Sequence, residues 1–121
     1  MPITYTMQVE SDTLVVRASG EDDSLEDAQA YGQAVLVRAL AEKCSRVLCD
    51  ERNLRYRLST LDTYALASAI AETTPRIARI AIVCAPACFS DAQFWENVAV
   101  NRGLSVCAFK DLDRAKTWLA E

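Results

Sequence analysis

Apolar and polar residues alternate along the first part of the chain. The alternation covers Ile3–Val9 and Thr13–Ser19 and is rich in β-branched residues, which predicts two half-buried strands. Only the short segment ESD separates them, so we expect an antiparallel hairpin. Gly20 and the acidic run EDDSLED then mark the predicted exit from the hairpin.

The pattern changes to helical spacing after this run. Apolar residues recur from Leu25 to Leu40, which predicts a helix that ends near Lys43. Ser24 is placed to cap it, with Asp27 as the partner in a capping box. The positive end of the helix dipole favours acidic residues, so the acidic run predicts helix capping rather than a metal site. It comprises Glu21, Asp22, Asp23, Glu26 and Asp27.

Strands and helices alternate through the rest of the chain. Short apolar runs typical of strands covered on both faces lie at Arg46–Asp50, Ile77–Cys84 and Leu104–Phe109. A capping box predicts a helix from Ser59 to about Glu72, which Pro75 breaks, and Pro86 ends the strand that follows. A second capping box, Ser90 with Gln93, predicts another helix, which ends at Gly103. DLDRAKTWLAE predicts a last helix. The order ββαβαβαβα predicts one α/β domain over residues 1–121, with a mixed, mainly parallel sheet and an N-terminal antiparallel hairpin.

Composition excludes several classes of function. A net charge of −4 argues against broad electrostatic binding of nucleic acid. No apolar run is long enough to insert in a membrane, and the N-terminus does not resemble a signal peptide, so we expect a cytoplasmic protein. The chain has no histidine and three widely spaced glycines, which removes most nucleophile activation, zinc sites and phosphate-binding loops. We therefore expect no enzyme, cofactor or metal.

Five cysteines are an odd number for a disulfide framework, and in a reducing compartment we expect free thiols. Cys49, Cys84 and Cys107 fall within predicted strands, where a cysteine behaves as a small buried apolar residue. Cys84 and Cys88 form the one close pair, in the segment CAPAC. Buried packing is favoured for this pair, and a redox role is left open.

Several segments together resemble the SpoIIAA-like, STAS-related family: VLCD, RIAIV, FWENVAVNRGLSVCAF and DLDRAKTWL, with the N-terminal hairpin. The resemblance implies the fold of anti-sigma-factor antagonists and of related small bacterial proteins. In those antagonists a partner kinase phosphorylates the first Ser of an Asp-Ser-Ser-Gly-like motif at the start of the second helix. The corresponding residues here are Leu58, Ser59, Thr60 and Leu61. Ser59 is therefore a candidate phosphorylation site, with a plain helix cap as the alternative.

A basic cluster precedes Ser59. We predict a loop here, at the carboxyl end of a parallel strand, where open α/β sheets usually bind ligands. Guanidinium groups beside a helix N-terminus could hold a phosphate or carboxylate, although neighbouring Asp50 and Glu51 could neutralise two of them. The candidate ligand- or partner-binding residues are Asp50, Arg52, Asn53, Arg55, Arg57 and Ser59.

The leading functional hypothesis is a non-catalytic regulatory or binding module that acts through protein–protein contact, using this loop, the start of the Ser59 helix and the CAPACFS turn. The alternative is a protein that holds a small anionic or lipid-like ligand in a crevice between the second and third helices, as the CRAL-TRIO lipid binders that the fold resembles in outline do. Tyr64, Phe89 and Phe94 would line that crevice, with Trp95 in the core. A weaker alternative is a phosphorylatable anti-sigma-factor antagonist. The exposed edge of the hairpin would allow a homodimer.

Overall fold

The structure, a computed structural model, describes residues 2–22, 24–73 and 79–121. The strands are β1 (Thr4–Glu10), β2 (Thr13–Asp22), β3 (Arg46–Tyr56), β4 (Arg79–Cys84) and β5 (Val106–Phe109). The helices are α1 (Leu25–Ala41), α2 (Thr60–Thr73), α3 (Phe89–Asn101) and α4 (Leu112–Ala120), and a 3₁₀ turn, Pro86–Cys88, precedes α3. The predicted order is confirmed. The predicted strand start at Ile77 and the break at Pro75 lie outside the described residues.

The five strands lie side by side in chain order. β1 is antiparallel to β2, and each later strand is parallel to the one before it. Since a helix joins each parallel pair and such crossovers are right-handed, α1, α2 and α3 all cover the same face of the sheet. α4 follows β5 and packs on the opposite face. The predicted class, a single α/β domain with a mixed, mainly parallel sheet, is confirmed. Among the described helices, none is long and apolar enough to cross a membrane.

Side chains of alternate residues in the central strands enter two separate cores. On one face, Leu14, Val16 and Val47 pack under α1, α2 and α3, with Trp95 of α3 partly buried against them. On the other face, Val15 and Leu48 pack against α4, whose buried residues include Leu119. Strands covered on both faces need apolar residues at successive positions, which explains the continuous apolar runs of β3 and β4.

Both β2 and β3 are longer than predicted. The segment predicted as a loop, Asp50–Arg57, is strand as far as Tyr56, because β2 continues past Ser19 and its backbone pairs with the extension. Gly20 pairs with Leu54, so it does not end the hairpin. Its φ of +105° is in the left-handed region, and an added Cβ would lie 2.4 Å from the Pro2 carbonyl oxygen, so only glycine fits there.

A β-bulge interrupts the pairing of β2 with β3. Arg17 pairs with Asp50 and Ser19 pairs with Asn53, so two steps along β2 correspond to three steps along β3. The extra residue in β3 reverses the alternation of its side chains. As a result Glu51, the first residue of the bulge, and Leu54 and Tyr56, after it, all face the helices α1, α2 and α3.

Side-chain caps hold the starts of three helices. The Ser24 hydroxyl accepts a hydrogen bond from Asp27 N–H at 3.3 Å, and the Ser59 hydroxyl accepts one from Asp62 N–H at 3.1 Å, as predicted. Asp111 caps α4 in the same way. The predicted cap at Ser90 is wrong, because the 3₁₀ turn leads directly into α3 and the helix already begins at Phe89.

The outer edge of β5 carries a side-chain acceptor. The Ser105 carbonyl oxygen accepts a hydrogen bond from Ile80 N–H of β4, so the backbone groups of Ser105 face β4. Successive residues of a strand alternate in this respect, so the N–H of Ala108, three positions later, points away from the sheet. The Glu96 carboxylate of α3 accepts that N–H at 2.5 Å. The backbone of this edge strand is therefore satisfied from within the molecule at Ala108.

Cysteine burial follows the strand pattern in part. Cys49 and Cys84 are buried as predicted, and Cys107 is half-buried because it lies on the last strand of the sheet. Burial raises the pKa of the Cys49 thiol and raises that of Cys84 to about 11. Both thiols are therefore protonated near neutral pH, and neither is an activated nucleophile.

Candidate functional site

A buried carboxylate lies in the middle of β3, at the last position where this strand pairs with β4. Glu51 is 7% exposed, and its Oε2 accepts a hydrogen bond of 2.8 Å from the Tyr31 hydroxyl of α1. Its Oε1 accepts a second hydrogen bond from the Tyr56 hydroxyl. Burial raises the pKa of Glu51 to about 7, although the tyrosine donors oppose the shift. The pKa values of both tyrosines are raised well above 10, first by burial, so they stay protonated as donors.

A second buried acid stands close by on β2. Asp22 is 8% exposed, and its Oδ1 accepts a hydrogen bond of 2.7 Å from Arg57 N–H. The sequence pattern placed Asp22 among the acids that start α1, which is wrong because β2 extends to this residue. In register, Asp22 pairs with Tyr56. Its negative charge contributes to the raised pKa of Glu51.

Both acids line a cavity of about 110 Å³ between the sheet and the helices α1, α2 and α3. Most of its wall is apolar and includes Val35, Leu36, Leu54, Leu66, Ile70 and Ile82, with Trp95 from α3. Glu51, Asp22, Tyr31 and Tyr56 provide polar groups, and the exposed Asp91 lies at the rim. The lining residues that the structure describes include three acids and no lysine or arginine.

The arginines of the predicted basic cluster, Arg52, Arg55 and Arg57, are exposed in the second half of β3 and just after it, and two of them have acidic partners. The Arg52 guanidinium group donates two hydrogen bonds to the Asp50 carboxylate, of 2.8 Å and 2.7 Å, and lowers the pKa of Asp50. Arg57 Nη2 lies 3.5 Å from Glu21 Oε1. Such exposed ion pairs contribute little stability. Glu51 was predicted as a neutralising partner, which is wrong because its side chain faces the cavity. Asn53 and Arg55 are exposed on the same extension.

The start of α2 presents an exposed patch. Leu61 is 77% exposed and Tyr64 is 44% exposed, on the helix that Ser59 caps. Arg102 at the end of α3 donates to the Tyr64 hydroxyl at 2.8 Å and lies over its ring. We name these four residues, Ser59, Leu61, Tyr64 and Arg102, the α2–α3 patch. It adjoins the exposed arginines because only Leu58 separates Arg57 from Ser59.

The three aromatic residues predicted to line a crevice do not line the cavity. Tyr64 belongs to the α2–α3 patch. Phe89 packs near Cys84, with the Lys110 ammonium 4.7 Å from its ring centre, and Phe94 is half-buried on α3. The cavity lies beneath all three helices of this face, so residues that point toward the sheet form it.

Sequence reasoning missed the cavity and the cluster of Glu51, Asp22, Tyr31 and Tyr56 in its wall. One signal was present for Glu51: the alternation of Val47, Cys49 and Glu51 places all three on one face of β3. No local signal announced Tyr31 or Asp22, because their contacts with Glu51 depend on the packing of α1 and on the length of β2. Tyr56 depends on the bulge.

The chain matches no protein-family model, and no curated protein matches it significantly. The similar solved structures include the following two. One is an anti-sigma factor antagonist from Mycobacterium paratuberculosis, at 18% identity and a TM-score of 0.70, over 98% of this chain and 95% of that chain. The other is an uncharacterised protein of the DUF3478 family from Shewanella loihica PV-4, described as having a SpoIIAA-like fold, at 23% identity and a TM-score of 0.54, over 98% of this chain and 93% of that chain. The chain thus has the SpoIIAA-like, or STAS-like, fold.

Proposed function

We propose that this protein is a non-catalytic, cytoplasmic regulatory module that acts through protein–protein contact at the α2–α3 patch. The observation that carries the proposal is the exposure of Leu61 in the first turn of α2, beside Tyr64 and Arg102. An apolar, an aromatic and an arginine side chain together match the composition of residues that dominate binding energy at interfaces. The similar fold of an anti-sigma factor antagonist supports a protein as the partner.

The exposed end of β3 would form the polar rim of this interface. Interfaces usually surround an apolar centre with charged residues that set orientation and association rate. The predicted binding residues fit that role, since they are exposed or half-buried and lead directly into Ser59: Asp50, Arg52, Asn53, Arg55 and Arg57.

The test is capture of a partner from the native cells by the tagged protein, followed by comparison of variants. Leu61→Asp should abolish capture, and the double variant Arg52→Glu, Arg55→Glu should weaken it. Val37→Asp is the matched control, because Val37 is 64% exposed on α1. All variants should keep the melting temperature of the parent. Equal loss in the control, or retention by Leu61→Asp, would contradict the proposed surface.

Phosphorylation of Ser59 would regulate the same surface. The Ser59 side chain is exposed at a helix N-terminus, where added negative charge is favourable. Incubation with ATP and a cognate kinase should add one phosphate by intact mass, and Ser59→Ala should not accept it, whereas Ser24→Ala should. If the mass of the parent protein does not change after this incubation, the proposed role as a phosphorylatable antagonist is wrong.

A second candidate function is the binding of a small molecule. The cavity under α2 favours it, because an apolar wall with a few polar groups is typical of ligand sites. The three acids in its wall argue against an anionic ligand, and the apolar remainder of the wall suits a ligand with an apolar body. Native mass spectrometry of protein purified from cells should show a retained ligand, and a clean mass of the free chain would count against this function.

A further inference from the structure

The size of the cavity limits its occupant. A cavity of about 150 Å³ lined by aliphatic and aromatic side chains is large enough for benzene. The cavity here, about 110 Å³, is somewhat smaller. A compact apolar group of a few carbon atoms would fill it, and a whole acyl chain would not.

The polar groups of the cavity favour a hydrogen-bond donor. A carboxylate can accept about four hydrogen bonds, and Glu51 accepts two, one on each oxygen, from Tyr31 and Tyr56. Its remaining lone pairs are available to a group within the cavity. Because the tyrosines hold the carboxylate in place, a ligand would meet an already oriented acceptor.

The charge of the site favours a cation. Glu51 is more than nine-tenths buried, and the lining residues that the structure describes include no basic side chain. A buried carboxylate without a cation tends to retain a proton, which a bound cation could replace. Tyr31, Tyr56 and Trp95 also line the cavity, and aromatic rings attract cations. An anion would instead meet the repulsion of three acids.

We propose that this cavity binds a small primary amine with a compact aliphatic body, whose ammonium group donates to Glu51 while its carbon atoms contact Leu54, Leu66 and Ile70. This inference rests on the second candidate function, small-molecule binding, and is independent of the α2–α3 patch.

The test compares three molecules of similar shape and different charge: isoamylamine, isoamyl alcohol and isovalerate. Each is titrated into the full chain at about pH 8, where Glu51 is mostly ionised, and amide and methyl NMR shifts are followed. The amine should bind at least about tenfold more tightly than the alcohol, with shifts at Leu54 and Leu66, and isovalerate should not bind.

Two variants separate the carboxylate from net charge. Glu51→Gln preserves the shape of the side chain and should weaken amine binding at least about tenfold while leaving alcohol binding unchanged. Glu26→Gln removes the same charge from an exposed position on α1 and should change neither. If Glu51→Gln does not fold, the comparison of the three molecules with the parent protein is sufficient.

The outcomes distinguish the inference from the function on which it rests. If the alcohol binds in the cavity as tightly as the amine, or if Glu51→Gln binds the amine unchanged, the proposed ammonium site is overturned and small-molecule binding stands. If none of the three molecules shifts a residue of the cavity, the ammonium site is overturned.

Discussion

Tyr56 donates a hydrogen bond to the carboxylate of Glu51, which lies five residues earlier on the same strand. In a regular strand, residues an odd number of positions apart face opposite sides of the sheet. The bulge in β3 removes this conflict and turns both side chains toward the cavity. One irregularity of the backbone therefore creates the polar part of the cavity and keeps a carboxyl group with a pKa near neutrality inside the protein.

We expect the stability of the protein to fall as the pH rises from about 4.5 to 7. The pKa of Glu51 rises from its ordinary value of 4.5 to about 7 on folding. The folded state therefore holds a proton that the unfolded state releases, and the resulting stabilisation is complete below pH 4.5 and lost above about pH 7. The loss should be about 3 kcal/mol, since one pKa unit corresponds to about 1.4 kcal/mol.

Urea unfolding of the parent and of Glu51→Gln across this pH range checks the expectation. The glutamine at position 51 in the variant has no ionisable group, so its free energy of unfolding should change little between pH 4.5 and 7. The other titratable groups around Glu51 are Asp22, Asp50, Tyr31, Tyr56 and Cys49. Arg52 lowers the pKa of Asp50, and burial raises the pKa values of Tyr31, Tyr56 and Cys49, which moves these four away from the range between pH 4.5 and 7. An equal slope in both proteins would show that Glu51 is not the titrating group.

Removal of either tyrosine hydroxyl should destabilise the protein more at high pH than at low pH. Tyr31→Phe and Tyr56→Phe each take one donor from Glu51. The cost should be about 1.5–3 kcal/mol near pH 8, where the acceptor is charged, and about 1 kcal/mol near pH 5, where it is neutral. Tyr64→Phe is the control, because Tyr64 is exposed, and it should cost less than about 0.5 kcal/mol. Costs that do not change with pH would contradict the assignment.

Two glycines allow backbone strain to be separated from steric contact. Gly20 and Gly103 both have positive φ, of +105° and +96°. An added Cβ would lie 2.4 Å from Pro2 O at Gly20 and would meet nothing within 4 Å at Gly103. Gly103→Ala should cost about 1 kcal/mol from backbone conformation alone. Gly20→Ala should cost about 1–3 kcal/mol more, measured by urea unfolding, because a backbone atom must move. Equal costs would show that the Pro2 segment yields freely.

The role of Ser59 as a cap predicts a defined loss. Ser59→Ala should lower the free energy of unfolding by about 1 kcal/mol, because it leaves Asp62 N–H without an acceptor, and Ser59→Asp should restore most of it. Ser24→Ala, which removes the equivalent cap of α1, provides the scale. Thermal unfolding of the three variants measures the effect. If Ser59→Ala costs nothing while Ser24→Ala does, the Ser59 hydroxyl is not a stabilising cap.

Much of the fold could be predicted from local patterns. The continuous apolar runs of β3 and β4 indicated strands covered on both faces, and Ser24 and Ser59 indicated where α1 and α2 begin. These features depend on residues close together in the chain. The predicted start of α3 was wrong. Ser90 is a residue type that often caps helices, but the 3₁₀ turn that begins at Pro86 leads directly into the helix at Phe89.

The interior of the site could not be predicted because long-range pairing decides it. Most residues after Asp50 are polar and would normally indicate a loop, but backbone pairing with the end of β2 holds them in a strand. Glu51 beside Arg52 looked like a surface charge, and the bulge that brings Tyr56 next to it has no residue signature. Tyr31 approaches from a helix 20 residues away in sequence.

The two outer strands of the sheet, β1 and β5, bear on how another strand could add to the sheet. At β5 the Glu96 carboxylate already accepts the outward Ala108 N–H, so a strand of another molecule would have to displace it. β1 pairs on one side with β2 and is an outer strand of the sheet. A chain of sheets that continued through β5 would therefore have to break the Glu96–Ala108 hydrogen bond at every junction.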